Sequence, residues 1–146
     1  MPEKNLDKYK LVEKKLRDYE MMKARIDILK KEIKLTELEC GISGISYDKI
    51  NTSCTNLISN LTADTALSKT EAIHFLDIEL NRLKYEIEKI DRGLEALNET
   101  EREILILFYI HGREWWYISD KLKFSPRQCR RKRDYAIEKL NMAFIG

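Results

Sequence analysis

Over residues 73–97 the apolar side chains Ile73, Leu76, Leu80, Leu83, Ile87, Ile90, Leu94 and Leu97 recur at alternating intervals of three and four. That spacing puts all of them on one stripe of an α-helix, whereas a strand would scatter them over both faces. Ser68, with Glu71 three residues on, is a capping-box signature, so the spacing predicts a helix over 68–97. A second stripe, Tyr9, Val12, Leu16, Tyr19, Met22, Ile26, Leu29 and Ile33, runs through residues 5–40 with one slip between Tyr19 and Met22, and Gly41 suits its C′ end. With only five Gly and two Pro in 146 residues, and 36% of the chain charged, the expected class is all-α. The two long helices are expected to form a coiled coil, folded back as an antiparallel hairpin, paired with a second copy, or both. A monomeric bundle carries the same kind of seam.

Between the stripes, residues 41–67 are rich in Ser, Thr, Asn and Gly and nearly free of charge. They read as a connector, either a mobile linker or a loop docked through Ile42, Ile45, Tyr47, Ile50, Leu57, Ile58 and Leu61. The segments are therefore 1–40, the N-terminal long helix; 41–67, the connector; 68–97, the heptad helix; and 98–146, which reads as a helix-turn-helix domain whose expected partner follows from its charge. In that last segment Asn98 and Glu101 signal a helix start, and Ile104, Leu105, Leu107 and Phe108 supply its apolar side. His111 and Gly112 end it. A short helix follows over 114–122, then the turn "KFS". Ser125 as N-cap, Pro126 at the first helical position and Gln128 at the third start a final helix over 126–144.

Charge is unevenly spread along the chain. Residues 121–133 carry seven Lys or Arg and no acid, although the whole chain has a net charge of only +2. On a helical wheel Cys129, Ala136, Ile137 and Leu140 form the packed side of the final helix. Arg127, Arg131, Asp134 and Glu138 lie opposite, with Arg130, Gln128 and Tyr135 on the flanks. Cations near a helix N-terminus are unfavourable by roughly 0.3–1 kcal/mol each, a cost that an anionic partner reverses. The N-terminal half of such a helix is what a helix-turn-helix inserts into the major groove, where Arg forks onto guanine and Gln onto adenine. Lys121 and Lys123 fit phosphate positioning. Arg133 falls beside the packed side and is expected to snorkel or to pair with Glu101 or Glu103.

The stretch "LNETEREILILFYIHGREWWYISDKLKFSPRQCRRKRDYAIEKL", residues 97–140, resembles region 4 of bacterial sigma factors. With the N-terminal helices and "GISGISYD…TN…S…TALS" included, nearly the whole chain is similar to phage-encoded transcriptional regulators of the ArpU/RinA type in Firmicutes. The resemblance implies a sigma region 4-like helix-turn-helix whose groove-contacting positions are Arg127, Arg130 and Arg131, with Lys132 replacing an apolar residue of the pattern, Pro126 a polar one and Ser119 an alanine. No counterpart of sigma region 2 is read before it, so a regulator is implied rather than a complete sigma factor.

The expected function is thus sequence-specific binding of double-stranded DNA, by a phage or prophage late-gene activator that dimerises through the long helices and has RNA polymerase as a candidate second partner. A small-terminase-type DNA-packaging protein, which combines the same parts, and a coiled-coil interaction adaptor are the alternatives. No enzyme activity, cofactor or metal is expected: His74 and His111 read as surface residues, the acidic pairs as helix-surface charge, and Cys129 as a small apolar filler. Trp115 is expected in the core, with Trp116 partly exposed against Tyr109 or a partner. The charged N-terminus is no secretory signal and the longest apolar run, residues 104–110, is too short to cross a bilayer. Three widely spaced cysteines fit a reducing cytoplasm.

Overall fold

The computed structural model describes residues 2–40 and 57–145. It is all-α: α1 (Pro2–Arg17), α2 (Tyr19–Cys40), α3 (Leu57–Glu95), α4 (Glu99–Leu105), a π-helical segment (Ile106–Ile110), α5 (Trp115–Leu122) and α6 (Pro126–Ile145). Gly41, and the connector residues proposed to dock before Leu57, lie outside the described residues. So does the choice between a mobile and a docked connector.

Two helix boundaries depart from the sequence pattern. The N-terminal stretch is two helices meeting at Asp18, next to the slip in its stripe, with backbone bonds from Asp18 N to Lys14 O and from Met22 N to Asp18 O carrying the ladder across. The third helix begins at Leu57 and not at Ser68. Residues 57–67 contain neither Gly nor Pro, so nothing stops the helix from extending past the Ser68–Glu71 signature.

The chain divides into two compact units, residues 24–84 and residues 1–23 with 85–146. In the first, Arg25 Nε lies 3.2 Å from Glu79 Oε1 and Lys69 Nζ 3.7 Å from Glu39 Oε2. Partners that rise along α2 while falling along α3 define an antiparallel pair within the chain. Ile26, Leu29, Ile33, Leu80 and Leu83 are its buried seam residues.

The second unit groups residues differently from a cut at residue 98. Val12, Leu16 and Tyr19 from the N-terminal helices, Ile90, Leu94 and Leu97, Leu105 and Tyr109, and Ala136, Ile137, Leu140 and Phe144 of α6 make one core. A smaller core joins Ile104, Leu107, Ile118 and Cys129. Gly93 lets α6 come close to α3, since a Cβ there would stand 2.8 Å from both Leu140 Cδ2 and Phe144 Cε1. Arg102 closes the end of α3: its Nε donates to Leu94 O at 2.8 Å and its Nη2 to Glu95 O at 2.9 Å and Leu97 O at 3.1 Å, satisfying carbonyls that the helix terminus leaves over.

The helix after Asn98 starts where expected, yet Asn98 makes no side-chain cap. Glu101 turns inward instead, where it is buried and accepts bonds from Lys139 Nζ at 2.8 and 2.9 Å. The π-helical turn follows, marked by the bond from His111 N to Ile106 O, and Arg113 N then reaches back to Leu107 O as the chain leaves it. Gly112, at φ +62°, then reverses the chain in a conformation that costs glycine little.

Candidate nucleic-acid interface

Helix α6 is started by the bonds its sequence calls for. Gln128 N donates to Ser125 Oγ at 3.2 Å, Ser125 N donates to Gln128 Oε1 at 3.1 Å, and Pro126 is the first helical residue. The turn from α5 is tight because Lys123 adopts the left-handed conformation, φ 60° and ψ 32°. Ser119 Oγ donates to Phe124 O at 2.5 Å across that turn. Behind α6, Cys129, Ala136 and Ile137 are fully buried and Leu140 is 1% exposed, which fixes the rotation of the helix about its axis.

With the buried side fixed, the predicted cations fall into three groups. Arg127, Arg130 and Arg131 are exposed on the first two turns. Among the described residues none of the three has an acid within 4.0 Å, and Arg130 lies 5.8 Å over the Trp115 ring. The first turn of α6 holds no acid either, so the unfavourable end of the helix dipole is left uncompensated. Lys121 and Lys123 carry weak surface pairs, to Glu103 at 3.1 Å and to Asp120 at 3.4 Å. Exposed pairs of this kind contribute about 0–1 kcal/mol and exchange readily for phosphate. Lys132 is half-buried, its ammonium 4.8 Å over the Phe124 ring, and belongs to the packing of the turn as much as to its surface. Gln128 spends its carbonyl oxygen on the helix start, so only its amide group remains for a base edge.

Arg133 pairs with neither of the acids expected for it. Lys139 takes Glu101 and Lys121 takes Glu103, while Arg133 Nη2 meets Asp134 Oδ1 at 2.9 Å and its guanidinium lies 5.2 Å over Trp115 and 5.8 Å over Phe108. Burial opposes its charge, but Tyr9, Asp134 and Tyr109 outweigh that and hold its pKa above the ordinary value. Phe108 and Trp115 stack at 4.3 Å with 21° between their planes. The side chain that sits astride them therefore joins α6 to the helix before α5.

Sequence spacing gave no hint of the ties from α1. Tyr9 donates to Asp134 Oδ1 at 2.7 Å, and Tyr109 donates to Glu13 Oε1 at 2.6 Å. Burial first, then the bond to Asp134, pushes the Tyr9 hydroxyl up to about 12. Burial and the bond to Glu13 raise Tyr109 as well. Partners this far apart in sequence leave no local pattern. Trp116 is exposed as expected, and its ring neighbour is Tyr117, at 6.0 Å between ring centres, rather than Tyr109, the first of the two neighbours expected for it. Trp115 is half-buried against the smaller core.

The arrangement offers a helix whose exposed N-terminal half presents one amide and three guanidiniums that have no acid partner among the described residues, with two loosely held ammonium groups nearby. Its chemistry is that of anion binding with forked donors. Burial raises the pKa of the Cys129 thiol, against the pull of Lys132, which keeps it protonated and inert. Among the described residues no cluster of His, Cys, Asp and Glu is placed to hold a metal ion, and no helix is long and apolar enough to cross a membrane.

A family model described as "Protein of unknown function (DUF722)" matches residues 6–142. Neither the comparison with curated proteins nor that with solved structures gave a match.

Proposed function

We propose a function for this chain, which belongs to the DUF722 family: it is a sequence-specific, double-stranded-DNA-binding transcriptional regulator, a late-gene activator of a phage or prophage, that reads the major groove with α6. The observation that carries this reading is the exposure of Arg127, Arg130 and Arg131, without acidic partners among the described residues, on a helix whose opposite side is buried. The first turn of α6 carries Arg127 and no acid, an arrangement that an anionic partner favours. Lys121 and Lys123 hold the phosphate backbone while the arginines meet base edges.

The activity is binding rather than catalysis, and it takes place in the cytoplasm. A dimer supplies two half-sites, which turns two weak contacts into one of useful affinity. RNA polymerase is the second partner that an activator needs.

Selection of bound sequences from random duplexes by the full chain tests the reading. The expected result is a motif with two related half-sites. Changing Arg127, Arg130 or Arg131 to Ala then costs roughly 1–3 kcal/mol on that motif and relaxes base preference at one position each. A uniform loss on all sequences reassigns them to phosphates, and no retention of duplex at low salt overturns the proposal. Sizing the complex separates regulation from packaging: a dimer fits the former, a ring of about eight or more subunits the latter.

A further inference from the structure

The geometry points to a second binding surface on the unit formed by residues 1–23 and 85–146: a groove between the end of α1, the π-helical segment and the start of α5, which docks an acidic peptide segment of a partner protein. The groove measures about 610 Å³ and its walls include Arg17, Phe108, Tyr109, Arg113 and the two tryptophans. Its size is within the range of about 300–1,000 Å³ typical of ligand clefts.

Three features specify the occupant. Trp116 is 67% exposed at the rim, and its Nε1 donates to Glu114 at 2.6 Å, which holds the ring in one orientation. A fixed, exposed indole is an anchor of the kind that dominates peptide and protein interfaces. The stacked Phe108 and Trp115 rings supply an apolar wall that an aliphatic or aromatic side chain would cover. Arg17 lies 5.6 Å over the Tyr109 ring and Arg113 5.2 Å over the Tyr117 ring. Among the described residues neither has an acid within 4.0 Å, whereas Arg25, Arg92 and Arg133 all do. Two guanidiniums held on aromatic faces and left without carboxylates call for carboxylates from outside.

A peptide suits this mixture better than a nucleic-acid duplex. A duplex keeps its bases stacked inside and brings only sugars and phosphates to such a groove, with nothing to cover the apolar wall. A segment with one apolar side chain between two Asp or Glu residues satisfies the rings and both arginines together. The π-helical turn shapes the site by bringing both Phe108 and Tyr109 to it, and such turns recur at functional positions. None of these residues is assigned to DNA, although Trp115 also lies under Arg130 of α6.

The experiment is selection of a displayed random dodecapeptide library on the full-length chain without DNA, followed by affinity measurement on the enriched peptides. Expected are sequences with Asp or Glu flanking Leu, Ile, Phe or Trp. Their affinity should fall at least about tenfold for Trp116→Ala and for the pair Arg17→Glu and Arg113→Glu. Those variants should keep the melting temperature and duplex affinity of the parent. No enrichment, enrichment without acidic residues, or undiminished affinity after charge reversal overturns the proposal. Loss of duplex affinity in the charge-reversed chain also overturns it and makes the groove part of the nucleic-acid surface.

Discussion

The Tyr9 hydroxyl and the Asp134 carboxylate, 125 positions apart, meet at 2.7 Å and join the first helix to the last. Asp134 also receives Arg133, so removing the hydroxyl leaves the carboxylate paired. Tyr9→Phe should therefore cost only the net value of one hydrogen bond, about 1 kcal/mol, measured as a shift in the urea midpoint at constant slope. A loss several times larger would mean that the bond sets the docking of α1 as a whole.

Three tyrosines make the fold sensitive to alkali. Tyr9 and Tyr19 are raised from 10.0 to about 12, each by burial and then by a bond to Asp134 or Asp91, and Tyr109 is raised as well. A folded-state pKa above the unfolded one gives stability that is full below about pH 10 and is lost as the pH climbs toward about 12. Unfolding midpoints should accordingly fall between pH 10 and 12, and the double variant Tyr9→Phe, Tyr19→Phe should show a shallower fall. An unchanged slope in that variant would remove these two hydroxyls as the cause.

Gly93→Ala adds a methyl group 2.8 Å from Leu140 Cδ2 and Phe144 Cε1. Leu140 Cδ2 is a terminal methyl and Phe144 Cε1 belongs to a rigid ring, and Leu140, 1% exposed, has little room to swing. Overpacking costs typically about 1–3 kcal/mol, and alanine returns about 1 kcal/mol of helix propensity. A net loss of roughly 1 kcal/mol is expected from denaturation curves, and a more stable variant would show that α6 can yield at Leu140 and Phe144.

Lys123 should split the two properties of its turn. Its left-handed backbone, φ 60°, costs a non-glycine residue on the order of 1 kcal/mol. Lys123→Gly should therefore raise the melting temperature while lowering duplex affinity evenly across sequences and reducing its salt dependence. Loss of both properties would mean that the weak pair with Asp120 stabilises the turn more than the strain destabilises it.

Local chemistry was legible in the sequence where neighbours close in the chain decide the structure. Ser125, Pro126 and Gln128 form the helix start their identities require, and the four residues the wheel selects for the packed side of α6 are buried, joined by Phe144, which it did not select. The same logic failed at Ser68, because a capping pair inside a run free of Gly and Pro does not oblige a helix to begin there. It failed again at Glu101 and Arg133, whose partners are chosen by packing between helices: Lys139 is 38 residues from Glu101. The extra residue accommodated by the π-helical turn has no signature in a string of apolar residues. The Trp116 groove was hidden for the same reason, since it is assembled from α1 and the approach to α5.

That wide turn has a consequence for how the protein can be dissected. It lets one short rod of residues 99–110 serve as a party wall: Leu105 and Tyr109 face the chamber shared with α1, while Ile104 and Leu107 face the chamber under α5. Severing the chain ahead of residue 98 would strip one side of the wall bare, together with Ile137, Leu140 and Phe144. The last third is thus no detachable head, and the N-terminal helix is a structural tenant of the same building.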